Sequence, residues 1–140
     1  MNREGVYRFL RSRGLRITPL KRRIVESFLE GGCCLSAGEV WASSGSPASF
    51  SSVYRCLTGL CEAGFLRPVN GPSGVVLYRR TRDFAPDHGH FRCRVCGLLA
   101  PVEEILPCVF IDAIEEKYGL SVQNWDFFLE GRCSLCSNRH

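Results

Sequence analysis

Hydrophobic positions along this chain keep a helical rhythm first and an alternating one later. Val6, Phe9 and Leu10 recur at i, i+3 and i+4, which predicts a short helix over residues 4–13, stopped at Gly14. Thr18-Pro19 reads as an N-cap and first helical position, and Ile24, Val25, Phe28 and Leu29 carry a second helix to Glu30, ahead of Gly31-Gly32. Ser36-Ala37-Gly38-Glu39 has capping-box spacing and opens a third helix of two turns, with Val40 and Trp41 expected inward. A fourth helix runs from Ser49 to Gly64. Its Val53, Leu57, Leu60 and Cys61 lie on one face, while Ser51, Ser52, Arg55 and Thr58 share another that is free to read something. The period then falls to two: residues 65–70 and 75–80, joined by Gly71-Pro72-Ser73-Gly74, predict a β-hairpin. Short helices followed by a basic hairpin are the order of a winged helix-turn-helix, in which the helix before the wing enters the major groove.

Past Arg82 the pattern predicts a second, smaller α/β unit, so the chain reads as α+β with domains over residues 1–82 and 83–140. Short strands are expected near residues 91–92 and 98–102, a helix over 106–118 closed by Gly119, and a strand over 120–129. Leu106, Phe110, Ala113 and Ile114 give this helix an apolar stripe, which Val109 and Ile111 widen beyond what a few strands can cover. Together with Trp125, Phe127 and Phe128, that surplus suggests a partner subunit.

Charge sharpens the division. Residues 1–82 hold 13 Lys and Arg against 5 Asp and Glu, whereas residues 83–140 hold 5 against 9. A basic half suits a polyanion. No apolar run has the length of a membrane span and no signal-peptide core follows the first residues, so a cytoplasmic protein that does not enter membranes is expected. No Ser/His/Asp set, phosphate loop or paired acid and base stands out, and an enzyme is not expected.

Chemistry concentrates in Asp87-His-Gly-His-Phe-Arg-Cys-Arg-Val-Cys-Gly97. A CxxC turn aims two sulfurs at one tetrahedral ion, and Cys133 and Cys136 repeat the spacing with 36 residues between Cys96 and Cys133. Cys93, Cys96, Cys133 and Cys136 are therefore expected to hold a structural Zn2+, with a redox CxxC or plain core thiols as the alternatives. Nine cysteines without an export signal fit reduced thiols better than disulfides.

Six short stretches, in order, resemble the ferric uptake regulator family of metal-sensing bacterial repressors. They are Arg16-Ile17-Thr18-Pro19, Ser36-Ala37, Val53-Tyr54-Arg55-Cys56-Leu57 with Gly64, His88-Gly89-His90-Phe91, Cys93-Arg94-Val95-Cys96-Gly97, and Gly131-Arg132-Cys133-Ser134-Leu135-Cys136. The resemblance implies a winged-helix domain joined to a dimerisation domain, a homodimer on a palindromic double-stranded DNA operator, a four-cysteine zinc, and a second, regulatory divalent metal. The sequence also departs from the family pattern. Cys34, beside Cys33, stands where a histidine is common, Arg79 where an acidic ligand ends the wing, Gly89 where Asp or His is frequent, and Cys108 and Trp125 where Glu and His ligands are often placed.

For the regulatory ion this leaves His88 and His90, which face the same way in an extended segment, with Cys34 and Glu103 or Glu104 completing the set. Thiolate with imidazole favours Zn2+ over manganese or ferrous iron. For DNA, Ser52, Tyr54 and Arg55 are the expected readers, helped by Lys21 and Arg22 and by Arg67, Arg79 and Arg80 on the wing. A zinc-responsive repressor is the leading expectation. An iron-, peroxide- or redox-responsive regulator of the same family is the alternative, and a thiol-disulfide oxidoreductase stands further off.

Overall fold

A computed structural model of the chain describes residues 2–30, 34–44, 48–81, 83–84, 89–102 and 106–137. It divides into two compact units, Met1–Pro86 and Asp87–His140.

In the first unit each helix starts where a polar side chain meets free backbone N–H groups. Asn2 accepts from the Gly5 amide at 2.8 Å and opens α1, Arg3–Ser12. Thr18 accepts from the Lys21 amide at 3.2 Å and opens α2, Pro19–Glu30. The capping box forms as expected: Ser36 and Glu39 exchange side-chain and backbone hydrogen bonds of 3.1 and 3.0 Å at the head of α3, Ala37–Ser43. Ser49 caps α4, Phe50–Glu62. Apolar stripes of the four helices meet in one core built on Leu10, Ile24, Phe28, Val40, Val53, Leu57 and Leu60.

The hairpin is β2, Leu66–Asn70, and β3, Val76–Arg80, in antiparallel register with Pro68 opposite Tyr78. A two-residue strand, β1 (Leu35–Ser36), pairs antiparallel with the other edge of β3, and the sheet order is β1-β3-β2. Two residues carry no readable period, so β1 is visible only in the fold. Trp41 is a correction: it is 48% exposed rather than inward. Its indole N–H donates to the Ala48 carbonyl at 3.0 Å and its ring meets Phe50 edge-on. In a helix of seven residues only one position per turn faces the core, and Val40 takes it.

The second unit has its own three-stranded sheet, in the order β5-β4-β6. Here β4, Gly89–Cys93, is antiparallel to β5, Leu99–Val102, and parallel to β6, Phe128–Gly131. Helix α5, Leu106–Tyr118, lies between β5 and β6 in sequence, and α6, Ser134–Ser137, follows β6. The strand expected over residues 120–129 is shorter than its composition suggested. Register places His90 opposite Phe128, so the chain before Phe128 runs past the start of β4, and residues 120–127 form no strand. There the Val122 amide donates to the Glu115 carboxylate at 2.8 Å instead. No described helix is long and apolar enough to cross a membrane.

Candidate metal centre and nucleic-acid interface

The parallel pairing of β4 with β6 brings the two CxxC turns side by side. Cys93 ends β4 opposite Gly131, which ends β6, and Cys133 follows two residues on. The first turn closes through the Gly97 amide to the Cys93 carbonyl at 3.0 Å, with Gly97 at φ +79°, a conformation glycine adopts without a Cβ penalty. The second closes through the Ser137 amide to the Cys133 carbonyl at 2.8 Å. Arg94 clamps the strands by donating to Glu130 at 2.9 Å.

The outcome is four sulfurs, from Cys93, Cys96, Cys133 and Cys136, all within 4.8 Å of one another. Zinc–sulfur bonds of about 2.3 Å place the corners of a thiolate tetrahedron about 3.8 Å apart. Cys96 and Cys133 already stand 3.7 Å apart, too far for a disulfide and right for one shared ion. Backbone amides of Cys96 and Cys133 donate toward Cys93 and hold its thiol down to about 6, which favours the thiolate form. Cys136, hydrogen-bonded to the Cys133 sulfur and desolvated by burial, is pushed up to about 12. The donor set fits Zn2+. The ion would supply a cross-link between two strand ends.

His90 lies apart from this cluster. Side chains alternate along β4, so Phe91 and Cys93 share one face and His90 takes the other. Its ring is buried at 1% exposure and stacked on Phe128, with centroids 5.4 Å apart. Cys34 is buried in the first unit, in the bend before β1. His88, Glu103, Glu104 and Cys33 lie outside the described residues, as does the side chain of Cys108. At Gly89 a Cβ would stand 2.6 Å from the Phe127 ring, so any larger residue there requires that ring to shift.

On α4, Tyr54 and Arg55 are exposed and line an open concavity of about 550 Å³ with Phe50 and Ser51. Ser52 is half-buried, its hydroxyl 3.0 Å from that of the capping Ser49. Lys21 donates to the Arg16 carbonyl at 3.0 Å, and the Arg22 guanidinium lies 4.6 Å over the Tyr7 ring. The wing is less basic at its surface than expected. Arg79 is a correction: it is 2% exposed, because β3 is the middle strand of its sheet and is covered over most of its length. Arg67 is half-buried opposite it, and Arg80 donates to the Phe84 carbonyl at 3.3 Å. At the tip, Val75 and Val76 are exposed instead. Cys56 and Cys61 are half-buried beside the core, and burial pushes both thiols up, Cys61 to about 11, as inert packing residues require.

The family model of the "Ferric uptake regulator family" matches residues 12–128, most of the chain and both units. The chain belongs to the ferric uptake regulator family. Membership places it among metal-dependent transcription regulators. One relative, "Ferric uptake regulation protein 2" of Mycolicibacterium fortuitum, is 30% identical over 93 residues, 64% of this chain; the chain thus spans 61% of that relative's length. Among solved structures, the Vibrio cholerae ferric uptake regulator superposes with a TM-score of 0.74 at 23% identity, covering 89% of this chain and 96% of that one. A zinc uptake regulator complexed with zinc and DNA gives a TM-score of 0.65 at 21% identity, covering 96% and 91%. At these identities the likeness to solved structures is one of fold.

Proposed function

We propose that this family member is a zinc-dependent repressor that binds palindromic operator DNA as a homodimer, with α4 as its reading helix. The observation that carries the proposal is the pairing of an exposed Tyr54–Arg55 edge on a capped helix with a strongly basic unit. A related regulator of the same fold was solved with zinc and DNA, which supports both the ion and the ligand. Arg55 would take a guanine edge or a phosphate, and the remaining cations of the unit would raise affinity without reading sequence.

The test is metal content and duplex binding measured together. Protein purified without added metal should carry one tightly held zinc per chain on the four cysteines. A second ion released by mild chelation, with duplex binding lost and then restored by zinc, is the expected signature of a regulatory site drawing on His88 and His90. Binding that persists unchanged after chelation would remove zinc dependence from the proposal. Binding lost and restored by oxidant and reductant rather than by zinc would favour the redox reading.

Homodimerisation is supported by the apolar surface the second unit leaves uncovered: Val109, Phe110, Tyr118, Leu120, Phe127 and Leu129 are all exposed. Phe110 is 65% exposed on α5. Exchanging it for Asp counts twice across a two-fold axis, so the dimer dissociation constant should rise by about a thousandfold. Sedimentation at micromolar concentration checks this, and an unchanged dimer would place the interface elsewhere.

A further inference from the structure

Phe50 is the first residue of α4, directly after the capping Ser49, and it is 45% exposed. It is held in place from behind: the Trp41 ring meets it edge-on at 6.0 Å, and the Trp41 indole is itself fixed by its bond to the Ala48 carbonyl, in the segment that leads into the helix. Tyr54 lies one turn further along the same side of α4, and the two aromatic rings border the concavity in which Arg55 also stands. An aromatic residue at the surface is ordinary when it stands alone. This one is supported, aimed into a groove, and set among the residues proposed to read DNA.

The floor of a major groove is a row of hydrogen-bond donors and acceptors, interrupted by one apolar group, the C5-methyl of thymine. An apolar ring that enters the groove at the N-terminal end of a reading helix has no other favourable partner there. We infer that Phe50 is a specificity-determining residue that reads a thymine methyl in each half-site, with Trp41 positioning its ring. This inference rests on the proposal that α4 reads duplex DNA.

The test uses the intact, zinc-loaded protein. A preferred duplex is first selected from a randomised pool, and each dT in it is then replaced by dU, which keeps every hydrogen-bonding group and removes only the methyl. At low salt, where weakened variants still bind, one dT per half-site should cost about fourfold in affinity when its methyl is lost, and the symmetric pair about fifteenfold. Phe50→Ala should abolish that difference at that position and no other, while Phe50→Leu, which restores an apolar contact, should recover it. Duplex binding in which no methyl becomes irrelevant in Phe50→Ala would overturn the inference and leave α4 as the reader. A pool that yields no preferred duplex would overturn the parent proposal and this inference together.

Discussion

Replacing Cys133 with serine is expected to strip the metal from the second unit and unfold it. The expectation rests on the zinc proposed for the four clustered sulfurs. Among the described residues a buried cluster of this unit is made of Cys93, Cys133 and Cys136 with Phe91 packed against them, so the sulfurs stand at a core position beside its three short strands. A structural zinc contributes on the order of 10 kcal/mol to a small domain, more than the whole stability many such domains possess. Bound metal should therefore fall by about one ion per chain. Hydrogen exchange should rise across β4 and β6, while the amides of α2 and α4, which belong to a separate core, keep their protection. A variant that lost zinc but kept a protected β4 would show that the sulfur cluster is not what holds the sheet.

The second large effect concerns recognition. Arg55→Ala is expected to weaken duplex binding by about tenfold to a hundredfold per half-site, the range for losing one bidentate base contact. A symmetric duplex would lose the square of that. The same titration, repeated across salt concentrations, separates two roles. An arginine on a phosphate would leave sequence preference intact and lower the slope against log salt by about one per half-site, whereas an arginine on guanine would relax preference at one position. Tyr54→Phe is the control, because it keeps the exposed ring and removes only the hydroxyl. Wild-type affinity in Arg55→Ala would move the reading surface away from α4.

How much was readable beforehand differs between the units for physical reasons. Caps and periodic stripes are local, so Thr18, Ser36 and Ser49 mark true helix starts and α5 falls where its pattern ends. The CxxC pairs were legible because ligand spacing is itself local geometry, although the parallel β4–β6 pairing that unites them was not. Burial across a sheet is not local. Arg79 reads as a wing cation until β1 is known to flank the far edge of β3, and β1 is too short to announce itself. Trp41 looked like core because a seven-residue helix offers too few turns to establish which side faces inward. The close approach of the Phe127 ring to Gly89 likewise joins residues far apart in the chain, so no local pattern shows it.

The order in which the sulfur ligands enter the sheet has a consequence in time. During synthesis the middle strand β4 emerges with Cys93 and Cys96, and its parallel neighbour β6 and the last two ligands arrive only after the whole of α5. Until then only two of the four sulfurs exist, and the Cys133 amide that donates to Cys93 in the folded unit has not yet been made. Parallel pairing across so long a separation is slow to nucleate, whereas the first unit is built mainly from near neighbours and has its complete set of helices early. With the zinc proposed for the four sulfurs, a nascent chain would therefore present a finished first unit while its second still waited for two of its ligands. Scarce zinc would act on this protein at its birth as well as after it.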